Sequence, residues 1–245
     1  MKIVATFILA LSLMVQQSAF KETQLKQSRV KVAYDEKESV VKKFFSDNNL
    51  SFEKFQLFLR AFKKEQKLEV WAKENGKQEF VLIHAYDFCA MSGTLGPKRK
   101  EGDLQIPEGV YHINHFNPLS NFYLSLGLSY PNASDKILSH KTKPGGAIYI
   151  HGNCVTIGCI PITDEKIKEL YVLAVEARNN GQEKIPVHVF PAKLDAGVVE
   201  KLAVEYSVTD RVKKFWKNLE PVYADFESTK KLRKVNVNAK GEYTW

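Results

Sequence analysis

Hydrophobic and polar positions change their rhythm several times along the chain. Residues 1–19 carry a lone Lys2, then an apolar run from Ile3 to Val15 that closes on Gln, Gln, Ser and Ala. That reads as a signal peptide with a basic start, an apolar stretch of about 13 residues and a cleavage site after Ala19. The run is shorter than the roughly 20 apolar residues of a comfortable membrane span. The first cysteine is Cys89, so a lipid-anchored amino terminus is not expected. No other segment is apolar enough to cross a bilayer.

Beyond the leader, VVKKFF at 40–45 suits an amphipathic helix ending at Asn48–Asn49. Apolar, β-rich runs follow at Lys54–Phe62, Leu68–Ala72 and Phe80–Ala85, the last two joined through Asn75-Gly76, a hairpin signal. Residues 92–109 read as loop. Strands are expected again at Val110–Ile113, Phe122–Leu128 and Ala147–Ile150, separated by a YPNAS turn and a polar stretch from Asp135 to Lys143. Thr163 or Asp164 can cap a helix that places Ile167, Leu170, Tyr171 and Ala174 on one face and stops at Asn179-Asn180-Gly181. Ile185–Phe190 reads as a strand, residues 194–232 as mainly helical, and Val235–Trp245 as a terminal strand. The pattern predicts a mainly β catalytic domain with helical additions, of the α+β class.

Composition narrows the function. Across 245 residues, 44% are hydrophobic, which excludes a disordered chain. Three cysteines are too few for a disulfide scaffold. The formal charge of +8 favours an anionic partner, and an exported chain is a poor candidate for nucleic acid. The expected location is the periplasm or cell envelope.

The chemistry concentrates in IYIHGNCVTIGCIPIT at 148–163. An apolar strand delivers His151 to its end, and Cys159 follows eight residues later. Imidazole beside thiol can generate a thiolate nucleophile. Gly158 keeps the backbone beside Cys159 open to a substrate carbonyl, where amide N–H groups could form an oxyanion hole. The spacing alone equally suits a structural cysteine and a core histidine. His151, Cys154 and Cys159 could in principle ligate a metal, but no CxxC or HxxxH pair supports it. A Cys154–Cys159 disulfide would close a very short loop and silence the thiol. Cys154 is expected to be a small buried hydrophobe. Trp71 and Trp216 are expected in the core, and His112 and His115 in structural roles.

HGNCVTIGC resembles the catalytic signature of the YkuD-type L,D-transpeptidases, a His-Gly followed downstream by Ser/Thr-His-Gly-Cys. SGTLGPKRKEGDLQIPEGVYHI, NHFNPLSNFYLSLGLSYPN and GGAIYIHG are similar to the YafK-like branch of that family. The resemblance spans roughly Lys54–Val189 and implies a YkuD-like β-sandwich. With it the chain divides into a signal peptide at 1–19, an N-terminal helical segment at 20–53, a catalytic domain at 54–193 and a C-terminal helical extension at 194–245. Two positions depart from the family: Ile157 stands where a His is usual and Ile160 where an Arg is usual, which predicts a less polar floor to the site.

The resemblance implies that Cys159 is the nucleophile and His151 the general base and acid, oriented by the Gly152 carbonyl. Gly158 and Cys159 would supply oxyanion-hole amides, and Lys98, Tyr130, Asn132 and Thr156 would contact substrate. The implied substrates are peptidoglycan stem peptides, with a wall-anchored protein as another acyl acceptor or substrate, and no cofactor is implied. The reaction that the resemblance implies is transpeptidation through a thioester. The alternatives are hydrolysis on the same scaffold, as an L,D-carboxypeptidase or an amidase releasing wall-bound protein, and a catalytically idle wall-binding module.

Overall fold

Strand β1 (Phe55–Phe62) alternates two sets of bulky residues, and both are buried. The structure, a computed structural model, describes residues 20–245; the expected signal peptide lies outside the described residues. On one face of β1, Phe55, Leu57, Leu59 and Ala61 join the main core. On the other, Phe58, Arg60 and Phe62 meet helix α5 (Asp210–Thr229) through Phe226 and Tyr223. A strand covered on both sides needs apolar residues at nearly every position, which is why its sequence lacks a clean polar alternation.

Among the described residues, eight strands form one mixed sheet in the order β3-β2-β1-β8-β4-β5-β6-β7. The other strands are β2 (Lys67–Glu74), β3 (Val81–Asp87), β4 (Gly109–Asn117), β5 (Ser125–Leu128), β6 (Tyr149–His151), β7 (Ile160–Pro161) and β8 (Pro186–Phe190). β1 runs parallel to β8 and β6 parallel to β7, and the remaining pairs are antiparallel. Strand β4 joins two half-sheets. Its residues Gly109–His112 pair with β8, and Ile113–Asn117 pair with β5, with a register shift between Ile113 and His115. Such an irregularity bends a strand and turns a corner between sheet halves. The α+β, mainly β class stands, and the sandwich is built by one strand serving both halves.

Helix α1 (Ser28–Ser46) packs on α3 (Asp164–Asn179), and both cover the main core. Tyr34 of α1 donates a 2.7 Å hydrogen bond to Glu176 Oε1. The predicted cap holds, since Thr163 Oγ1 accepts from the Lys166 N–H. Ile167, Leu170, Tyr171 and Ala174 are all buried. Two elements escaped the sequence pattern. Helix α2 (Ala133–Leu138) sits in the polar stretch read as irregular, and β7 is only two residues long. The expected terminal strand is a short hairpin of β9 (Asn236–Val237) and β10 (Tyr243–Thr244).

The opposite face of the sheet is closed by α4 (Val198–Glu205) and α5, which bury Trp216, Leu219 and Tyr223 against Phe62 and Phe190. Trp71 and Trp216 are core, as expected. Beneath α5, Trp216 Nε1 donates to Glu108 Oε2 at 2.7 Å, and Lys63 Nζ donates to Glu108 Oε1 at 2.9 Å. Lys63 also donates to the carbonyls of Gly96 and Ile106. The long loop at 92–108 is therefore pinned to the sheet by a buried, satisfied polar cluster, the condition under which a buried charge is tolerated.

Candidate active site

The β6–β7 register decides how His151 and Cys159 relate. Ile150 pairs with Ile160 and His151 with Pro161, so Cys159, the residue before β7, lies beside Tyr149. Alternation puts Tyr149 and His151 on one face of β6 while Ile150 points into the core with Ile160. His151 and Cys159 thereby come from neighbouring strands as diagonal neighbours. Cys159 Sγ lies 3.8 Å from the Ala147 carbonyl oxygen.

His151 is 1% exposed. Its Nδ1 lies 2.5 Å from the Gly152 carbonyl oxygen. A carbonyl only accepts, so Nδ1 carries the proton and Nε2 of the neutral ring has a free lone pair. Phe122 stacks on the imidazole, with centroids 4.5 Å apart. Gly152 is required by space, because a Cβ there would lie 2.8 Å from the Phe122 carbonyl oxygen. Burial lowers His151 below the ordinary 6.5, with the Gly152 carbonyl opposing. Burial raises the Cys159 thiol above the ordinary 9.0, offset in part by a Tyr149 backbone hydrogen bond and by the charge of Lys98. At neutral pH the resting pair is thiol and neutral imidazole.

The loop before Cys159 is organised by Thr156. Its Oγ1 accepts from the N–H groups of Cys159 (2.8 Å) and Gly158 (3.2 Å), and its hydroxyl donates to the Cys159 carbonyl at 2.8 Å. Thr156, expected to contact substrate, holds the turn that presents the thiol. The two amides expected to be free for an oxyanion are engaged by it. Gly158 has φ of +134°, and a Cβ there would lie 3.0 Å from the Gln105 carbonyl oxygen.

Cys154 requires a correction. It is exposed and forms a disulfide with Cys89, which follows β3. It is neither a buried hydrophobe nor available as a metal ligand. The bond ties the loop after His151 to the edge half of the sheet and leaves Cys159 as the free thiol. Elimination could have found this pairing, since a chain of three cysteines with Cys159 kept reactive leaves only 89 and 154. The predicted apolar floor also differs. Ile160 is 0% exposed in the core and Ile157 is 79% exposed, so neither forms a floor. Phe122, over the imidazole, escaped the sequence reading because nothing in its local pattern marks it.

Three further expected substrate contacts hold the loops together. Lys98 is 4% exposed, with Nζ 2.7 Å from Asp103 Oδ1. Asp103 also accepts the N–H groups of Arg99, Lys100 and Gln105, which folds the loop back on itself. Tyr130 donates to the Pro144 carbonyl at 2.8 Å. Asn132 caps α2 through a reciprocal capping box with Asp135 and donates to the Val110 carbonyl and Tyr243 Oη. Burial and hydrogen bonding give Lys98, Tyr130 and Asn132 structural work around the site.

Residues 58–189 match the family model YkuD, described as L,D-transpeptidase catalytic domain. The chain is 32% identical over 183 residues to the Escherichia coli K12 protein named "Putative L,D-transpeptidase YafK", covering 74% of this chain and 70% of that one. Among solved structures, it is similar to the helical cell shape determining protein Pgp2 of Campylobacter jejuni, at 21% identity and a TM-score of 0.45. That match covers 76% of this chain and 74% of that one. L,D-transpeptidase 1 of Mycobacterium tuberculosis is more distant, at 16% identity and a TM-score of 0.29, covering 55% of this chain and 62% of that one.

Proposed function

The chain belongs to the YkuD family of L,D-transpeptidase catalytic domains, and from that premise we propose that it transfers peptidoglycan stem peptides through a thioester on Cys159. The observation that carries the reading is His151 Nδ1 set against the Gly152 carbonyl, which leaves Nε2 as the basic nitrogen, with the free thiol of Cys159 arriving on the paired neighbouring strand.

In this reading His151 Nε2 takes the Cys159 proton as sulfur attacks the carbonyl of the L-centre of the stem's diamino acid. The C–N bond to the departing D-amino acid breaks, and its amine takes the proton from the imidazolium. The thioester then meets an acceptor. An amine attacks it, gives up a proton to His151, and releases the Cys159 thiolate to be reprotonated. The product is a cross-link or an attached protein. Water at the same step gives hydrolysis. The resting amides of Gly158 and Cys159 hold Thr156 Oγ1, so an oxyanion would take over N–H groups already aimed at an oxygen. Export is supported by the Cys89–Cys154 disulfide, since such bonds persist in oxidising compartments.

Incubating the purified chain with defined disaccharide-tetrapeptides and weighing the products tests the assignment. A dimer mass identifies transfer and a tripeptide mass identifies hydrolysis. Cys159→Ala should lower the rate by at least about 10³, about 4 kcal/mol of transition-state stabilisation, and abolish acylation by a carbapenem. Unchanged turnover by folded Cys159→Ala protein would remove the nucleophile assignment.

A further inference from the structure

A second concave site is lined by the residues on either side of Lys98. The cavity measures about 380 Å³ and is walled on one side by Pro97, Arg99 and Leu138, and on the other by α5 and the β9–β10 turn. That volume suits a small ligand. Its lining has two chemical parts. Leu138, Val212 and the buried ring of Phe215 form an apolar base. Arg99, Arg211, Lys214 and Lys240 bring four cations; Arg99 is paired with Asp135 at 2.9 Å and Lys214 with Glu242 at 3.0 Å, which leaves Arg211 and Lys240 without an acid partner among the described residues. The Arg99 guanidinium lies 4.7 Å from the Phe215 ring centroid, so a cation sits directly on the apolar base.

We propose that this cavity binds the carboxylate-bearing end of a stem peptide other than the one under attack at Cys159. The proposal rests on the peptidoglycan reading of the active site. A ligand that uses the whole lining must combine carboxylate with short aliphatic groups. A bare inorganic anion would leave the apolar base uncovered, and a neutral glycan would leave Arg211 and Lys240 without a carboxylate. A short acidic peptide ending in a methyl-bearing residue satisfies both, its carboxylates on guanidinium and ammonium groups and its methyls on Phe215 and Val212. The position fits as well. Pro97 and Arg99 line the cavity, while Lys98 between them packs against Gly145, where a Cβ would lie 3.4 Å from its Nζ, two residues before the Ala147 carbonyl that Cys159 Sγ meets at 3.8 Å. A stem peptide bound here and one at Cys159 would both be held next to the same loop before transfer.

The test is titration of the full chain carrying Cys159→Ala with a free tetrapeptide stem and with the same peptide amidated at its C-terminus, followed by calorimetry. The acid form should bind at least tenfold tighter than the amide. The double variant Lys214→Glu/Lys240→Glu, at two exposed positions, should weaken the acid at least tenfold, while Lys240→Arg should bind as the parent. In the Cys159 background the double variant should be acylated by a carbapenem at the parent rate. Equal binding of acid and amide overturns the subsite, as does an affinity indifferent to the double substitution. It also falls if the double substitution abolishes binding only to phosphatidylglycerol vesicles. The two readings fail separately: turnover by Cys159→Ala would sink the catalytic assignment and leave the peptide titration standing.

Discussion

Burial moves both members of the candidate pair toward their neutral forms, and this has a consequence that can be measured. Cys159 is raised above 9.0 and His151 lowered below 6.5. Alkylation by iodoacetamide should therefore be slow at pH 7 and climb as pH passes 9, where the thiolate forms. Turnover should hold down to pH 6.5 and fall only below it, because the base must be unprotonated and its titration lies lower. An alkylation rate flat from pH 5 to 8 would indicate a standing thiolate–imidazolium pair and contradict this order. Thr156 belongs to the same scale. Thr156→Val keeps the shape but removes the acceptor for two amides and the donor to Cys159, so carbapenem acylation should slow at least tenfold, about 1.4 kcal/mol. Thr156→Ser should restore it, and an unchanged rate in the valine variant would leave the hydroxyl a bystander. His151, Gly158 and Cys159 are marked out by the likeness of HGNCVTIGC to the family signature, since their spacing alone suits a structural cysteine as well. Thr156's bonds to Gly158 and Cys159 are a local side-chain turn, whereas the Phe122 stack depends on where the chain returns.

At the scale of elements, the legible parts were those whose burial follows one period. The α3 stripe and its Thr163 cap are examples, because a helix packed on one side declares its face. Helix α2 was hidden because Ser134 and Asp135 are buried polar residues, satisfied by Gly241, Arg99 and Tyr111 rather than by an apolar face. The disulfide links two elements no pattern connects. It closes 65 residues of chain with Cα atoms 5.3 Å apart, so its loss should cost about 2–4 kcal/mol through the unfolded state. Cys89→Ala/Cys154→Ala should lower the urea midpoint accordingly while still accepting a carbapenem on Cys159. Lost acylation in a folded double variant would mean that the bond, not the strand register, holds the site.

For the whole molecule, the boundary expected at residue 194 does not coincide with a physical one. The sequence shows a Lys-rich helical tail, and its amphipathic stripe does not say what it covers. In the structure the stripe covers the second face of β1. Trp216 is fully buried and reaches Glu108, whose other oxygen takes Lys63 from β1. Arg60 lies on the ring faces of Trp71 and Phe226 and is paired with both Glu69 and Glu227. Deleting residues 194–245 would bare Phe58, Phe62 and Phe190 and leave the Lys63–Glu108 pair half-solvated. The truncated chain should be insoluble or molten even though it keeps the whole of the matched 58–189 segment. A milder change separates lost packing from lost chain. Trp216→Ala should cost about 3–5 kcal/mol by opening a cavity in this layer, visible as a lower urea midpoint with little change in slope. Because Glu108 also holds the Gly96 N–H at 2.7 Å, the loop bearing Lys98 should loosen with it. Hydrogen exchange at residues 96–108 should then accelerate more than at α1, which is distant from α5. Equal protection in both segments would mean that the extension stabilises the sheet without reaching the site.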